Sequence, residues 1–402
     1  PQTVAAGTTL FSITIGGVPY KFTKNEAFTY VSGKMMNFGI KVDKQTGSGA
    51  YKLTLVSESI TPWENDLVSH DATAKEYVVI NSTKGHLKEA IAAANKDYTK
   101  IKNLKITGEI SAQDFYFMRD SMENLAALNL KEVIIRGGEQ RLTGGAQGVY
   151  PHNDYEIPYE ALRGKKSLNL LVLPDKLTKI GIAAFADDQN ITGSLIIPEG
   201  VTEIEVGAFY DCRSMNGTLS LPSTLKYLGR GIDLWWYGGV FTYCGFTSEL
   251  ILPNNLECIA GNNTFAGCEG LHGELRFPEK LTEISDGAFN GCKSLTGSIT
   301  IPQGVHKLPT SVFQFCDNLN GTLTLPDGIT SIGYNCFQGC ALKGELKLPK
   351  NLTVIADEVF NGCDFSGELV LPKTIRSIGK RAFANNWRLM GIVEFPEGLQ
   401  SI

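Results

Sequence analysis

From about residue 160 onward, apolar and polar positions recur in a fixed order. In Gly344-Glu-Leu-Lys-Leu-Pro349, Leu346 and Leu348 alternate with Glu345 and Lys347. This is the period-two pattern of a strand with one inward row and one solvent-facing row. Pro349 cannot donate a ladder hydrogen bond, so the strand is expected to stop there and the chain to bend. Leu352 and Ile355 then turn inward, and Phe360 does so from the far side of the coil. No helix-length apolar pattern fits between them. The return leg is therefore expected to hold short strands, turns and at most one helical turn.

The same pattern is written out in GELRFPEKLTEISDGAFNGCKSL, residues 273 to 295. It starts again at Gly297 and Gly321 and, one residue short, at Gly344 and Gly367. Ten prolines keep the period: Pro174, Pro198, Pro222, Pro253, Pro278, Pro302, Pro326, Pro349, Pro372 and Pro396. Eight of their nine steps measure 23 to 25 residues, and the step from Pro222 to Pro253 measures 31. A period in the twenties is the signature of a solenoid, whose units bury their apolar faces only against one another. The expectation is one right-handed solenoid with a single continuous parallel sheet. At roughly 4.8 Å per layer the sheet would run about 43 Å.

Upstream the pattern changes. Residues 1 to 80 carry short alternating runs (Leu10, Ile13, Ile15; Phe38, Ile40, Val42; Leu53, Leu55) between glycine-rich turns. This predicts a small antiparallel, β-sandwich-like domain. In residues 81 to 135, Leu87, Ile91, Ala94 and Tyr98 share one helix face. Ser111 with Asp114 forms a capping box before Phe115, Met118, Met122 and Leu125. With strands around Leu104–Ile106 and Leu128–Val133, this segment reads as a helical adaptor and N-terminal cap. Residues 136 to 157 read as a polar loop holding Tyr150, His152, Asp154 and Tyr155, and loops of that length are uncommon unless functional. The fold class is mainly β, with the solenoid assigned to 136–402.

The net charge of −5, with both signs interspersed, leaves no footprint for nucleic acid or an anionic membrane surface. No run approaches 18 apolar residues, so no membrane-spanning helix is expected. GxSxG, HExxH, GxxxxGK[ST] and GxGxxG are all absent, and the five histidines are scattered, so neither an enzyme nor a cofactor is expected. Seven of nine cysteines (Cys212, Cys244, Cys268, Cys292, Cys316, Cys340, Cys363) stand three residues after the repeat phenylalanine. Stacking would place them in one column. A buried thiol column is favoured over inter-coil disulfides, and a metal is not expected because a column supplies no converging ligands. Cys258 and Cys336 lie outside it.

Two surfaces are candidates for contact. The outward strand positions run Ser194, Thr218, Glu249, Glu274, Ser298, Thr322, Glu345, Glu368 and Ile196, Ser220, Ile251, Arg276, Thr300, Thr324, Lys347, Val370. They are small hydroxyls and mixed charges, as a solvated face or a broad protein-binding face would be. The long step adds eight residues between Leu228 and Phe241. There Trp235, Trp236 and Tyr237 lie between glycines, as a carbohydrate or protein contact would use them. Packing back onto the flank of the solenoid is the open alternative. Tyr150 and Tyr155 complete the candidate binding residues.

The repeated Ala-Phe-x-x-Cys followed by Leu resembles the BspA-like leucine-rich repeats, over roughly residues 100 to 402. It departs at Leu162 and Lys165, at Asp188 and at Asn386, mostly in end units. The resemblance implies a non-enzymatic, extracellular or bacterial surface protein that binds proteins or glycans of a host or neighbouring cell. Lipid anchoring through a segment outside this chain would be one way of holding it there. Phe28-Thr-Tyr-Val-Ser-Gly-Lys34, Phe38-Gly-Ile-Lys-Val42 and Ser59-Ile-Thr-Pro-Trp63 resemble the closing half of a fimbrillin-like β-domain. That likeness implies the alternative: an accessory fimbrial component whose β-domain makes the contacts and whose solenoid is a display arm.

Overall fold

The computed structural model describes residues 77–141, 149–231 and 238–402, and within residues 1–62 the strand backbone. The chain divides into two compact units, residues 1–72 and 73–402. Among its described residues the first holds three antiparallel pairs. Gln2–Val4 pairs with Phe28–Tyr30, Thr9–Ile15 with Val18–Thr23, and Lys34–Lys44 with Tyr51–Pro62.

The second unit opens with a parallel sheet of Val78–Ser82, Asn103–Ile110, Ala127–Asn129 and Val133–Ile135. Leu170–Val172 of the first coil joins the same sheet through Ala127–Asn129. Helix α1 spans Leu87–Ala93 and buries Leu87 and Ile91. It is shorter than its sequence pattern, because Ala94 already caps it and Tyr98 belongs to a separate 3-10 turn. Helix α2 spans Ala112–Ser121. The Asp114 carboxylate accepts from Ser111 N–H at 2.8 Å and also from Leu87 N–H, the first residue of α1, at 2.9 Å. One buried carboxylate thus satisfies N-terminal donors of both helices, which otherwise lack intrahelical partners.

Residues 136 to 157 are not the loop expected from their polarity. Gly138–Arg141 and Val149–His152 form an antiparallel hairpin. Arg136 clamps its base, reaching Glu109 at 2.5 Å and Asp154 at 2.8 Å. The pairing partners here are backbone groups, so side-chain polarity carried no sign of them.

The solenoid, of about twelve turns, carries two strand ladders rather than one continuous sheet. The longer ladder lies after the repeat proline and joins six strands from Glu156–Ile157 to Glu283–Ile284, then four more from Lys307–Leu308 to Ser377–Ile378. The Gly-x-Leu-x-Leu segments that suggested a single sheet pair only in short pieces. The insertion does not break the longer ladder. Tyr227–Arg230 pairs with Glu203–Glu205 on one side and Cys258–Ile259 on the other.

The most regular part of each turn surrounds the repeat phenylalanine. Nine rings, from Phe185 to Phe383, stack at 5.2 to 5.7 Å between centroids and 5 to 23° between planes. Backbone N–H groups at the phenylalanine and two residues either side donate to the next layer. Phe289, for example, donates to Val312 at 2.9 Å, Gly287 to Thr310 and Gly291 to Gln314 at 2.8 Å. Donation by alternate residues requires a backbone that folds back on itself. Accordingly the residue two before the ring and the residue two after it are left-handed in most turns, as at Gly287 (φ 61°) and Gly291 (φ 72°).

The column cysteines serve this arrangement. All nine cysteines are free and buried. Each column thiol donates to the carbonyl of the preceding layer's phenylalanine, at 2.9 to 3.3 Å from Cys212 to Phe185 through Cys363 to Phe337. The end units replace the thiol without abandoning the column. Asn386 Nδ2 donates to the Phe360 carbonyl at 2.7 Å, and Lys165 Nζ donates to the Arg119 and Met122 carbonyls at the end of α2. Asp188 alone presents a carboxyl. Its Oδ1 accepts from Lys165 N–H while its Oδ2 is buried without a partner, and burial raises its pKa well above the usual carboxylate range.

Candidate functional site

Trp235, Trp236 and Tyr237 lie outside the described residues. Tyr150 lies on the strand Val149–His152, opposite Gln140. Tyr155 is half-buried in a left-handed conformation (φ 66°) at the start of the first coil. Its N–H donates to Ile135 at 2.8 Å and its carbonyl accepts from Thr178 at 2.9 Å, so its backbone joins the N-terminal sheet to the solenoid.

Beyond the insertion the chain returns through Gly238, which lies against the Tyr210 ring, where any Cβ would come within 2.6 Å of it. Tyr210 meets Tyr243 of the next layer edge-on, with centroids 6.3 Å apart. The Arg213 guanidinium sits 5.6 Å from the Tyr243 ring and is paired with Asp211, which also accepts from Gln189. Together these form an aromatic and charged flank next to Gly238.

Tyr243 is the unusual member. It stands two residues after its column phenylalanine, where the following turns place Gly267 and Gly291, yet its φ is 61°. A side chain in this left-handed region is disfavoured by roughly 1–2 kcal/mol. The ring is 49% exposed and rests over Gly267, whose missing Cβ makes room for it. Phe315 repeats the arrangement three layers on, with φ 58° and its ring over Gly339. The sequence signal was available: an aromatic where neighbouring units carry glycine. It is legible only once that glycine is known to be left-handed.

Most outward strand positions face solvent; of the apolar members Ile251 and Val370 are each 68% exposed, while Ile196 is half-buried. Short polar contacts link neighbours, such as Ser298 with Thr322 at 3.2 Å and Arg276 with Glu274 at 2.7 Å. Among the described residues no group of three His, Cys, Asp or Glu could hold a metal ion. Burial pushes the thiols of Cys244, Cys268, Cys292, Cys316, Cys340 and Cys363 upward, Cys268, Cys316 and Cys363 to about 12. They are protonated, inaccessible and unsuited to nucleophilic chemistry. His152 is buried against the Gly138 carbonyl, and burial lowers its pKa.

A stack of parallel coils with a solvated strand face, an aromatic flank and a sealed thiol column defines a leucine-rich-repeat binding scaffold. The chain belongs to the BspA type leucine rich repeat family, which it matches in six copies over residues 155–232, 237–365 and 321–402. That membership carries a surface protein-interaction role, and no catalytic family is indicated. Among the described residues no helix is long and apolar enough to cross a membrane.

Among solved structures, the chain is similar to a leucine-rich repeat protein from Bacteroides ovatus at 20% identity. That match covers 86% of this chain and 90% of the other, with a TM-score of 0.38. A leucine-rich repeat protein of T. pallidum is 26% identical over 46% of this chain and 69% of its own, with a TM-score of 0.30. The pneumococcal vaccine antigen PcpA is 17% identical over 71% and 60%, with a TM-score of 0.36. No curated protein matches the chain. None of these comparisons supports the fimbrillin-like likeness of the N-terminal segment or the fimbrial reading built on it.

Proposed function

We propose that the protein is a non-enzymatic, extracellular recognition protein of a bacterial surface. It binds a protein or glycan of a host or neighbouring cell through the flank of Tyr210, Arg213 and Tyr243, together with Trp235, Trp236 and Tyr237 of the insertion. Residues 1–80 then carry the solenoid, residues 81–135 cover its first coil, and residues 136–402 present the contact surface. The observation behind this reading is Tyr243. It is a half-exposed aromatic held in a conformation that glycine adopts freely, at a position where the next two layers do carry glycine. Its ring supplies area and a polar edge to a partner, as interface aromatics do.

Arrays of host proteins and glycans, probed with the wild-type chain and with Tyr243→Gly, test this. Relief of backbone strain offsets the lost ring contacts, so Tyr243→Gly should change stability by no more than about 1 kcal/mol while weakening binding at least roughly tenfold. The pair Trp235→Ala with Trp236→Ala should shift the melting midpoint by only a few degrees and abolish the same binding. Undiminished binding in both variants would remove the site from this flank.

A further inference from the structure

The longer ladder has one open joint, and a groove lies beside it. At nine joints the N–H of the residue two before the second strand's inward Ile or Leu donates to its equivalent in the preceding layer. Examples are Thr282 to Glu257 at 2.9 Å and Thr330 to His306 at 3.1 Å. Between these two, among the described residues, no such bond joins His306 to Thr282. The following ladder bond is also missing. Elsewhere it is made by Ser285 to Ile259, Gly333 to Leu308 and Gly379 to Ile355. At this joint the donor position is Pro309, which has no N–H.

On the first leg of the same two layers stands Phe277, where other units carry Leu173, Ile197, Leu221, Leu252, Ile301, Leu325, Leu348 and Leu371 and only the last carries a phenylalanine, Phe395. Its ring lies edge-on to Phe289 of its own layer at 5.7 Å and to Phe313 of the next at 6.1 Å, so it straddles the joint. Between these two layers the pairing on this leg ends at Glu274 with Thr296. The rear of the joint stays closed by the phenylalanine stack and its backbone bonds. On the first leg of these two layers lies a groove of about 540 Å³.

The groove is floored by Leu275, Phe277 and Ile301 and rimmed by Glu274, Glu279 and Thr300. Its volume is in the range of ligand sites, and an apolar floor under a polar rim is their usual composition. The rim is acidic. Arg276 is held by Glu274, Lys280 is turned away to Asn255 of the preceding layer at 2.8 Å, and Glu279 has no ion-pair partner among the described residues. We infer that this groove binds a peptide segment that inserts one large apolar side chain and places a lysine or arginine against Glu279. The apolar floor selects the anchor and the uncompensated carboxylate selects its basic neighbour. The site lies on a different leg of the coil from Tyr243 and is independent of it.

The test is selection from a displayed library of random heptapeptides, with the Thr300→Trp chain as counter-selection. Thr300 is exposed on the rim, so a tryptophan there should fill the mouth without disturbing the core. Enriched peptides should pair Phe, Leu, Ile or Met with Lys or Arg within two positions. Synthetic copies should bind at least about tenfold more weakly to Thr300→Trp and several-fold more weakly to Glu279→Gln at low salt, with Tyr243→Gly unaffected. If Thr300→Trp melts more than a few degrees lower, Phe277→Leu decides, because the ordinary residue of the unit should let the layers close and give the same loss. No enrichment, enrichment of acidic or anchor-free peptides, binding unchanged in these variants, or a glycan competing for the same mouth would each overturn the assignment.

Discussion

The return turns and the front legs of this solenoid are built from the same repeats, yet they differ in regularity. Around the phenylalanine column every described joint from Phe185 to Phe383 keeps its ring contact, and all but the two joints at Phe241 share the full set of three backbone donors. The front legs pair in fragments and open at the Phe277–Pro309 joint. A turn whose two left-handed positions, ring and thiol all depend on the layer below tolerates little variation. A front leg holds its layer mainly through inward leucines, so outward residues and even whole bonds can be altered there. In this molecule the turns preserve the stack, and the departures available for recognition lie on the front legs and at the exposed left-handed positions.

The sharpest way to break that comparison is to remove one ring. Phe289→Ala deletes a fully buried side chain stacked on both neighbours and should lower stability by about 3–5 kcal/mol. Thr300→Ala on the front leg should stay within about 0.5 kcal/mol. Denaturant unfolding of both variants checks it, and equal losses would end the distinction between the two legs.

A smaller effect is expected at Asp188. Because burial raises its pKa, the folded protein keeps a proton that the unfolded chain releases above about pH 4. Its contribution is therefore fully present below that pH and is lost as pH rises through the raised folded value. Asp188→Asn keeps an acceptor for Lys165 N–H and adds a donor of the kind Asn386 uses. It should stabilise the protein by roughly 1–2 kcal/mol near neutral pH, with an advantage that shrinks on acidification. Parallel pH series of thermal melts should diverge upward; parallel curves would show that Asp188 does not titrate in this window.

The smallest effect concerns Pro309. Pro309→Ala restores a donor facing Ile284, a gain of about 0.5–1.5 kcal/mol, offset by the greater freedom of the unfolded chain. Stability should hardly move. Hydrogen exchange should nevertheless show a protected amide at residue 309 and slower exchange along the joint, and an unprotected amide would mean that something other than the missing N–H keeps the joint open.

Much of this was legible in one dimension. A strict period, alternating leucines and a recurring phenylalanine and cysteine specify a stacked coil, because each unit can bury its apolar face only against a copy of itself. The capping box at Ser111 and Asp114 was readable too, since its partners are three residues apart. Interactions between layers were not readable, because they join residues about 24 positions apart through backbone groups that composition does not report. Tertiary structure decided that the ladder lies after the proline and that Gly138–Arg141 pairs with Val149–His152. It also decided that the column cysteine is a hydrogen-bond donor, so that Lys165 and Asn386 fill the same role. The left-handed backbone at Tyr243 and the open joint at Pro309 arise only when one coil is laid on the next: the stack determines which N–H faces which carbonyl, and where a ring or a proline prevents them from meeting.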